Sequence, residues 1–366
     1  MFFLYAATVT NARAITRLGL YRLRNLADQE CSPEPGINLI TGENASGKTS
    51  FLEAIHILAR ASSFRTARVE LAVRYEADDL ITTGLVVDGH GVEHHLGVQR
   101  GRSGTRVRID QQTVSNLSEL ARYLPVQVIN TESQRLLNDG PKVRRSFLNW
   151  TVFHVEQDYY QHWRRYDRAL KQRNAALRLQ QRRLSVSWES ELVAAAHAVD
   201  EARQRVIRSL LGELEPLIDR WLPDTDIGIT YRRGWPEDKP LTEALEANRQ
   251  REAELRYTLA GPHRADLQIR AGGVEAQHWL SRGQQKTLAI ALLLAQSRLI
   301  AGTGAVPVLL IDDLRAELDC QHARHVLEEV IASPAQCFIT AIERDGIPID
   351  VSRWFQIRGG RLQEMI

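Results

Sequence analysis

The eight residues Gly42, Glu43, Asn44, Ala45, Ser46, Gly47, Lys48 and Thr49 carry the spacing G-x-x-x-x-G-K-T, a pattern suited to holding phosphate. They follow an apolar run (Ile37, Leu39, Ile40) and lead into the apolar-periodic stretch SFLEAIHIL. Strand, loop and helix therefore stand in the order such a loop requires. Gly42 and Gly47 permit a tight turn that aims successive amide N–H groups at an anion, and the helix adds its positive end. Lys48 is placed to bridge the β- and γ-phosphates of ATP or GTP, and Thr49 offers a hydroxyl to Mg2+. Ser50 is the last residue of this candidate site. Far along the chain, LSRGQ at Leu280–Gln284 opens an Ala/Leu-rich helix with Ser281 at its cap position. Beyond it, VPVLLIDDL ends an apolar strand in Asp312 and Asp313. Carboxylates at the carboxyl end of a buried strand face phosphates in open α/β sheets. Asp312 suits the metal side, and Asp313 suits orienting or deprotonating an attacking water.

Two half-motifs at opposite ends of the chain must meet around nucleotide, so the predicted head is an α/β unit built from both ends, residues 1–120 and 250–366. Strands are expected near residues 15–26 and 36–41. The alternating segments 80–87, 93–99 and 105–109, broken by Gly-rich turns, predict an antiparallel meander. From about Ala265 onward, strand and helix alternate as in a parallel core. Between the halves, residues 121–249 read as a mainly helical lobe. Residues 142–183 and 186–221 hold few glycines and no proline before Pro216, with apolar spacing near 3.6.

Charge is the most informative property of that lobe. Residues 142–183 contain eleven Lys/Arg (Lys142, Arg144, Arg145, Arg164, Arg165, Arg168, Lys171, Arg173, Arg178, Arg182, Arg183) against three acids (Glu156, Asp158, Asp167). That excess of +8 sits in a chain whose net charge is only +2, the footprint of a polyanionic partner. Such a run is commonly a solvated helix face; joined to an ATPase signature it favours DNA, with Arg164, Arg165, Arg168, Lys171 and Arg173 as the contact candidates. Tyr159, Tyr160, Trp163 and Tyr166 interleave with them; their helical spacing favours packing into the lobe over stacking on exposed bases.

Hydrophobic content of 43% and charged content of 25% are ordinary for a globular chain. Cys31, Cys320 and Cys337 lie far apart without metal-ligand spacing, which argues against a disulfide framework or zinc site and fits a reducing cytosol. MFFLYAATVTNA lacks the basic start of a signal peptide and reads as an upstream extension. No apolar run reaches 18 residues, so no membrane span is expected.

The order phosphate loop, LSRGQ, acidic strand and ELD (residues 317–319) resembles that of the ABC-type ATPases. In them the signature of one protomer closes over nucleotide held by another. GENASGKTSFLEAI, SFRT (Ser63–Thr66), TLAGPHRADL (Thr258–Leu267), SRGQQKTLAIAL and LIDDLRAELD together resemble the RecF family of DNA replication and repair proteins, over about residues 15–361. The resemblance implies an ABC-type head without long coiled-coil arms, and ATP with Mg2+ as the bound nucleotide. It also implies an ATP-dependent homodimer, sequence-independent binding to single- and double-stranded DNA, and work with RecR and RecO in loading RecA at gaps. It places Ser281, Arg282, Gly283 and Gln284 on nucleotide held by the second protomer, and Ser281 and Asp319 in the dimer interface. A weak DNA-stimulated ATPase in the cytoplasm, at the nucleoid, is the expected setting. Three departures stand out. Ala45 occupies a position where many relatives have Gly, a minor change because the x positions of the loop tolerate it. Arg315 puts a cation beside the acidic pair. Thr340, at the end of the strand QCFIT, stands where transporter ATPases place a sensor His. Gln127 and Gln134 are candidates for a γ-phosphate-sensing Gln, and His263 with Arg264 is either a structural or solvated loop pair or, as the resemblance implies, a DNA or lobe-interface contact.

Overall fold

The computed structural model describes residues 13–102, 104–314, 320–347 and 349–365. The N-terminal extension, Arg315 and the ELD segment with Asp319 lie outside the described residues. Contacts divide the chain into two compact units, Met1–Ser133 with Ile300–Ile366, and Gln134–Leu299.

The first unit draws on both ends of the chain. It opens with β1 (Ala14–Tyr21), β2 (Gln29–Cys31) and β3 (Ile37–Thr41), and the phosphate loop joins β3 to α1 (Lys48–Arg60). The meander follows as β4 (Asp79–Val87), β5 (Glu93–Gly101), β6 (Gly104–Ile109) and β7 (Gln112–Val114). Along β4 buried and half-buried residues alternate strictly, the period-2 pattern of a strand covered on one face. These strands make an antiparallel sheet in the order β2-β1-β4-β5-β6-β7. After α2 (Ser118–Tyr123) comes β8 (Val126–Ile129).

The second unit is mainly helical: α3 (Arg135–Asn138), α4 (Pro141–Val155), α5 (Tyr159–Arg178), α6 (Arg182–Ser187) and α7 (Glu189–Trp221). Then follow β9 (Ile227–Arg232), α8 (Leu241–Leu255), β10 (Asp266–Ala271), β11 (Val274–Glu275), α9 (Ala276–Trp279) and α10 (Arg282–Ala301). The chain returns to the first unit with β12 (Val308–Ile311), the helix Cys320–Ala332, β13 (Cys337–Ala341), β14 (Arg353–Arg358) and β15 (Arg361–Met365). Its second sheet runs β15-β14-β3-β13-β12-β8 and is parallel except at β14–β15. Helix α1 supplies Phe51, Leu52, Ile55 and Leu58 to a core shared with Leu18 and Val98 of one sheet and Leu310 and Phe338 of the other.

Two expectations are corrected here. The units divide at 133/134 and 299/300 rather than at 120 and 250. β8 belongs to the head because it pairs in parallel with β12. The GPHRAD segment belongs to the helical unit because its loop is bolted to α4, α5 and α7. Arg144 forms a two-point pair with Asp266, Arg145 donates to Ala265 O, and the buried Arg203 donates to Pro262 O. His263 Nε2 donates to Thr258 O, so Nδ1 accepts from Tyr166 Oη at 2.5 Å. Burial drives His263 down to about 4, and its ring bonds to Tyr166 and Thr258 tie the loop to α5. The second correction concerns β10. It is no part of the parallel core but the middle strand of the antiparallel sheet β11-β10-β9.

Candidate nucleotide and nucleic-acid site

The loop between β3 and α1 has the conformation an anion cradle needs. Gly42 has φ 154° and Gly47 φ 118°. A Cβ on Gly42 would meet Ile357 O at 2.6 Å, and one on Gly47 would meet Leu26 at 2.6 Å, so no side chain fits at either. Ala45 also lies in the left-handed region, at φ 61°. Alanine there costs about 1 kcal/mol relative to glycine, so the substitution is less innocuous than the sequence suggests. Asn25 Nδ2 secures this residue by donating to Ala45 O at 3.0 Å, and Asn25 Oδ1 accepts from Ser50. Lys48 Nζ curls back onto its own loop, donating to Gly42 O (2.6 Å) and Glu43 O (2.9 Å). Burial pulls its pKa below the usual lysine value, while Asp313 and Asp312 act in the opposite direction.

The two aspartates follow β12. Thr49 Oγ1 donates to Asp312 Oδ2 at 2.9 Å, so strand end and helix start meet at the mouth of the loop. Thr340, at the end of β13, donates to Asp312 Oδ1 at 2.8 Å and accepts the Asp313 N–H at 2.8 Å. One hydroxyl therefore fixes both aspartates, and Asp313 is held at φ 49°, a left-handed conformation that costs energy outside glycine. Lys48, Thr49, Asp312 and Asp313 line one cleft of about 650 Å³ together with Asn44, Ala45, Gly47 and Ser50. The residues fit Mg2+, because the Thr49 hydroxyl and both Asp312 carboxylate oxygens converge at the mouth of the loop. Gln127 does not line this cleft; it is buried on β8 with its amide on Val128 O. Gln134 is half-buried at the end of the turn Thr131–Gln134.

In the helical unit, Ser281 Oγ accepts the Gln284 N–H at 3.3 Å and Gln284 Oε1 accepts the Ser281 N–H at 3.0 Å. This is a reciprocal capping box at the start of α10, so Gln284 is spent on the helix start. Ser281, Arg282 and Gly283 are exposed, and a Cβ on Gly283 would meet nothing within 4 Å. Of the eleven cations, eight are exposed: Lys142, Arg164, Arg165, Arg168, Lys171, Arg178, Arg182 and Arg183. Arg173 must be struck from the DNA candidates. It is buried, paired with Glu189 at 2.9 Å and Glu252 at 2.8 Å, and donates to Thr258. On the outer face Arg165 pairs with Glu191, Lys171 with Asp167, and Arg164 lies over the Tyr160 ring. Tyr159 and Tyr166 are buried, as their spacing predicts.

The RecF/RecN/SMC N terminal domain family matches residues 14–349. The DNA replication and repair protein RecF of Shewanella amazonensis is 39% identical over 358 residues, covering 96% of this chain and 99% of the relative. That of Chromohalobacter salexigens is 41% identical over 363 residues, covering 95% and 99%. The chain belongs to the RecF family. Its fold is that of a solved structure titled as the recombination mediator protein RecF with ATP in the RecFOR pathway. The TM-score is 0.88 at 22% identity, covering 99% of this chain and 100% of that one. A structure of an Smc head bound to the C-terminal winged-helix domain of ScpA shares the fold more distantly, with a TM-score of 0.61 at 13% identity, covering 96% of each chain.

This RecF-family head contains site residues that sequence reasoning missed. Glu53, on α1 just beyond Lys48, is fully buried and accepts from Arg24 Nε and Nη2 at 2.9 Å each, from Arg65 at 3.2 Å and from Ser63 Oγ at 2.5 Å. Burial pushes its carboxyl up, but the bonds from Arg24 and Ser63 and the charges of Arg24 and Arg65 outweigh that and hold it below its ordinary value. Arg24 and Arg65 both line the cleft, so SFRT presents its arginine to the same cleft as the phosphate loop. The signal was one acid in an otherwise apolar helical run. Among the described residues, no helix is long and apolar enough to cross a membrane.

Proposed function

We propose that this protein is an ATP-dependent DNA-binding protein of recombinational repair and replication restart. It closes as an ATP-bound pair on gapped, single- or double-stranded DNA, helps RecR and RecO load RecA, and is reset by slow hydrolysis. Its working place is the cytoplasm, at the nucleoid. The observation that carries this reading is the phosphate loop of α1 with Thr49 and Asp312 joined at its mouth. The names of its relatives, replication and repair proteins, and of an ATP-bound solved neighbour support it.

In this mechanism Lys48 exchanges two loop carbonyls for phosphate oxygens, and the loop amides cradle the rest. Thr49 and Asp312 would hold Mg2+, which when bound neutralises charge on the phosphates. Asp313 orients or deprotonates the attacking water. The capped, exposed start of α10 at Ser281, with open space at Gly283, offers a second anion site to nucleotide on the other protomer, where Asp319 joins the interface.

Thr340 positions the carboxylates rather than touching nucleotide. Thr340→Val removes one bond to each aspartate, each worth about 1 kcal/mol. Hydrolysis should fall roughly tenfold with ATP affinity retained, and Thr340→Ser should restore it. Single-turnover hydrolysis beside equilibrium binding reads both, and a Val variant at full rate removes Thr340 from the mechanism.

DNA binding is tested by salt. Affinity should fall steeply as salt rises, with a slope of about −0.9 per neutralised phosphate on duplex. Reversing Arg164, Arg165 and Arg168 to Glu should weaken binding to unrelated sequences alike and flatten that slope, with ATP affinity unchanged. A triple variant that binds like the parent at every salt concentration would clear α5 of this role. The next candidates would then be Arg60, Arg65 and Arg68.

A further inference from the structure

The cleft is larger than its phosphate end. Beyond the loop and the aspartates it is lined by Leu71, Val73, Arg74 and Tyr75. Tyr75 is 88% exposed and Leu71 53%, so an aromatic ring and an aliphatic side chain stand uncovered on the wall of a polar cleft. Exposed aromatics in a concave site mark the apolar part of a ligand.

The backbone under that ring is fixed. Arg24 N donates to Ala72 O and Arg74 N to Arg22 O, each at 2.8 Å, and Leu23 bridges Val73. The adjoining Asn25 is bonded to the phosphate loop at Ala45. Tyr75 is therefore held in register with the phosphate site through Arg22–Asn25. Its own ring is the part left uncovered.

Two of the polar side chains at this end bond to the protein itself. The Asn25 amide serves Ala45 and Ser50, and the Arg74 guanidinium is tied to Leu26 O and Asp28. Beside them Leu71 and Tyr75 offer aliphatic surface and a flat ring, which recognise the face of a base and not its edge pattern.

We propose that Tyr75 is the base-stacking residue of the nucleotide site. It takes the purine face while Lys48 and Thr49 hold the phosphates, and it does not discriminate adenine from guanine. The proposal rests on the nucleotide reading above and adds the base subsite to it.

Titrations of the full chain with ATP, GTP and inorganic tripolyphosphate, each with Mg2+, separate the two ideas. Loss of base–aromatic stacking should weaken ATP and GTP alike, about tenfold, in Tyr75→Ala. Tripolyphosphate affinity should stay within about twofold, and Tyr75→Phe should bind as the parent does. Unchanged ATP affinity in Tyr75→Ala would overturn the proposal, as would an equal loss for tripolyphosphate. A variant with full ATP affinity that no longer pairs by light scattering would also overturn it and assign the ring to a protein contact. Lys48→Ala is the control: if it weakens neither ATP nor tripolyphosphate, the nucleotide reading itself fails, whatever Tyr75 does.

Discussion

Lys48→Ala should lose ATP affinity by about 100-fold while leaving the fold intact. The ammonium supplies charge-assisted hydrogen bonds to two phosphates, together worth roughly 3 kcal/mol, and among the described residues no other lysine lines the cleft. Its structural contribution is smaller. Lys48 is buried, and among the described residues it donates to two loop carbonyls, Gly42 O and Glu43 O. Truncation releases those oxygens toward the cleft but also removes a charge that burial penalises, so stability should change by no more than about 1 kcal/mol. Isothermal titration with ATP and a thermal melt report the two quantities separately. Parent-like affinity would overturn the phosphate-loop assignment. A melt collapsing with the affinity would mean that the lysine is a structural strut.

The phosphate loop was legible in the sequence because its geometry is local. Two glycines, a lysine and a hydroxyl in one turn need no distant partner to declare themselves. Asp312 was legible as the end of the short continuous apolar run VLLI, the pattern of a strand buried on both faces. The same logic, applied more strictly, would have separated β10. Its sequence DLQIRA alternates in burial, the mark of a half-covered antiparallel strand rather than a parallel core.

Arg173 was beyond reach by composition. It stands in a run of cations, and its burial depends on Glu189 of α7 and Glu252 of α8, far away in the chain. A charge count cannot tell which face of α5 a given arginine occupies. The unit boundaries escaped for a related reason: strand pairing and the buried Arg203 decide where β8 and GPHRAD belong. Gln284 shows one residue answering two readings, since the capping box that starts α10 uses the side chain that the resemblance assigned to nucleotide.

Glu53→Gln should destabilise the head by about 3 kcal/mol. Removing one partner of a buried ion pair commonly costs 3–5 kcal/mol, because the remaining charge is left without compensation. The lower figure applies because the Arg24 and Arg65 side chains are 23% and 39% exposed and recover some hydration. Glutamine keeps the shape and one acceptor, which isolates charge from packing. The effect should depend on pH with a definite sign. The Glu53 carboxyl is held below its ordinary value, so its contribution is complete above the unfolded pKa and is lost as pH falls through the folded one. Parent and variant should therefore differ most near neutrality and converge in acid. Urea unfolding across that range, followed by a signal from the head, measures the gap. Adding Arg65→Ala to the variant should recover part of the loss, since it removes one stranded cation. A constant gap down to low pH, or no gap at neutrality, would show that the cluster around SFRT is held by packing and not by the Glu53 charge.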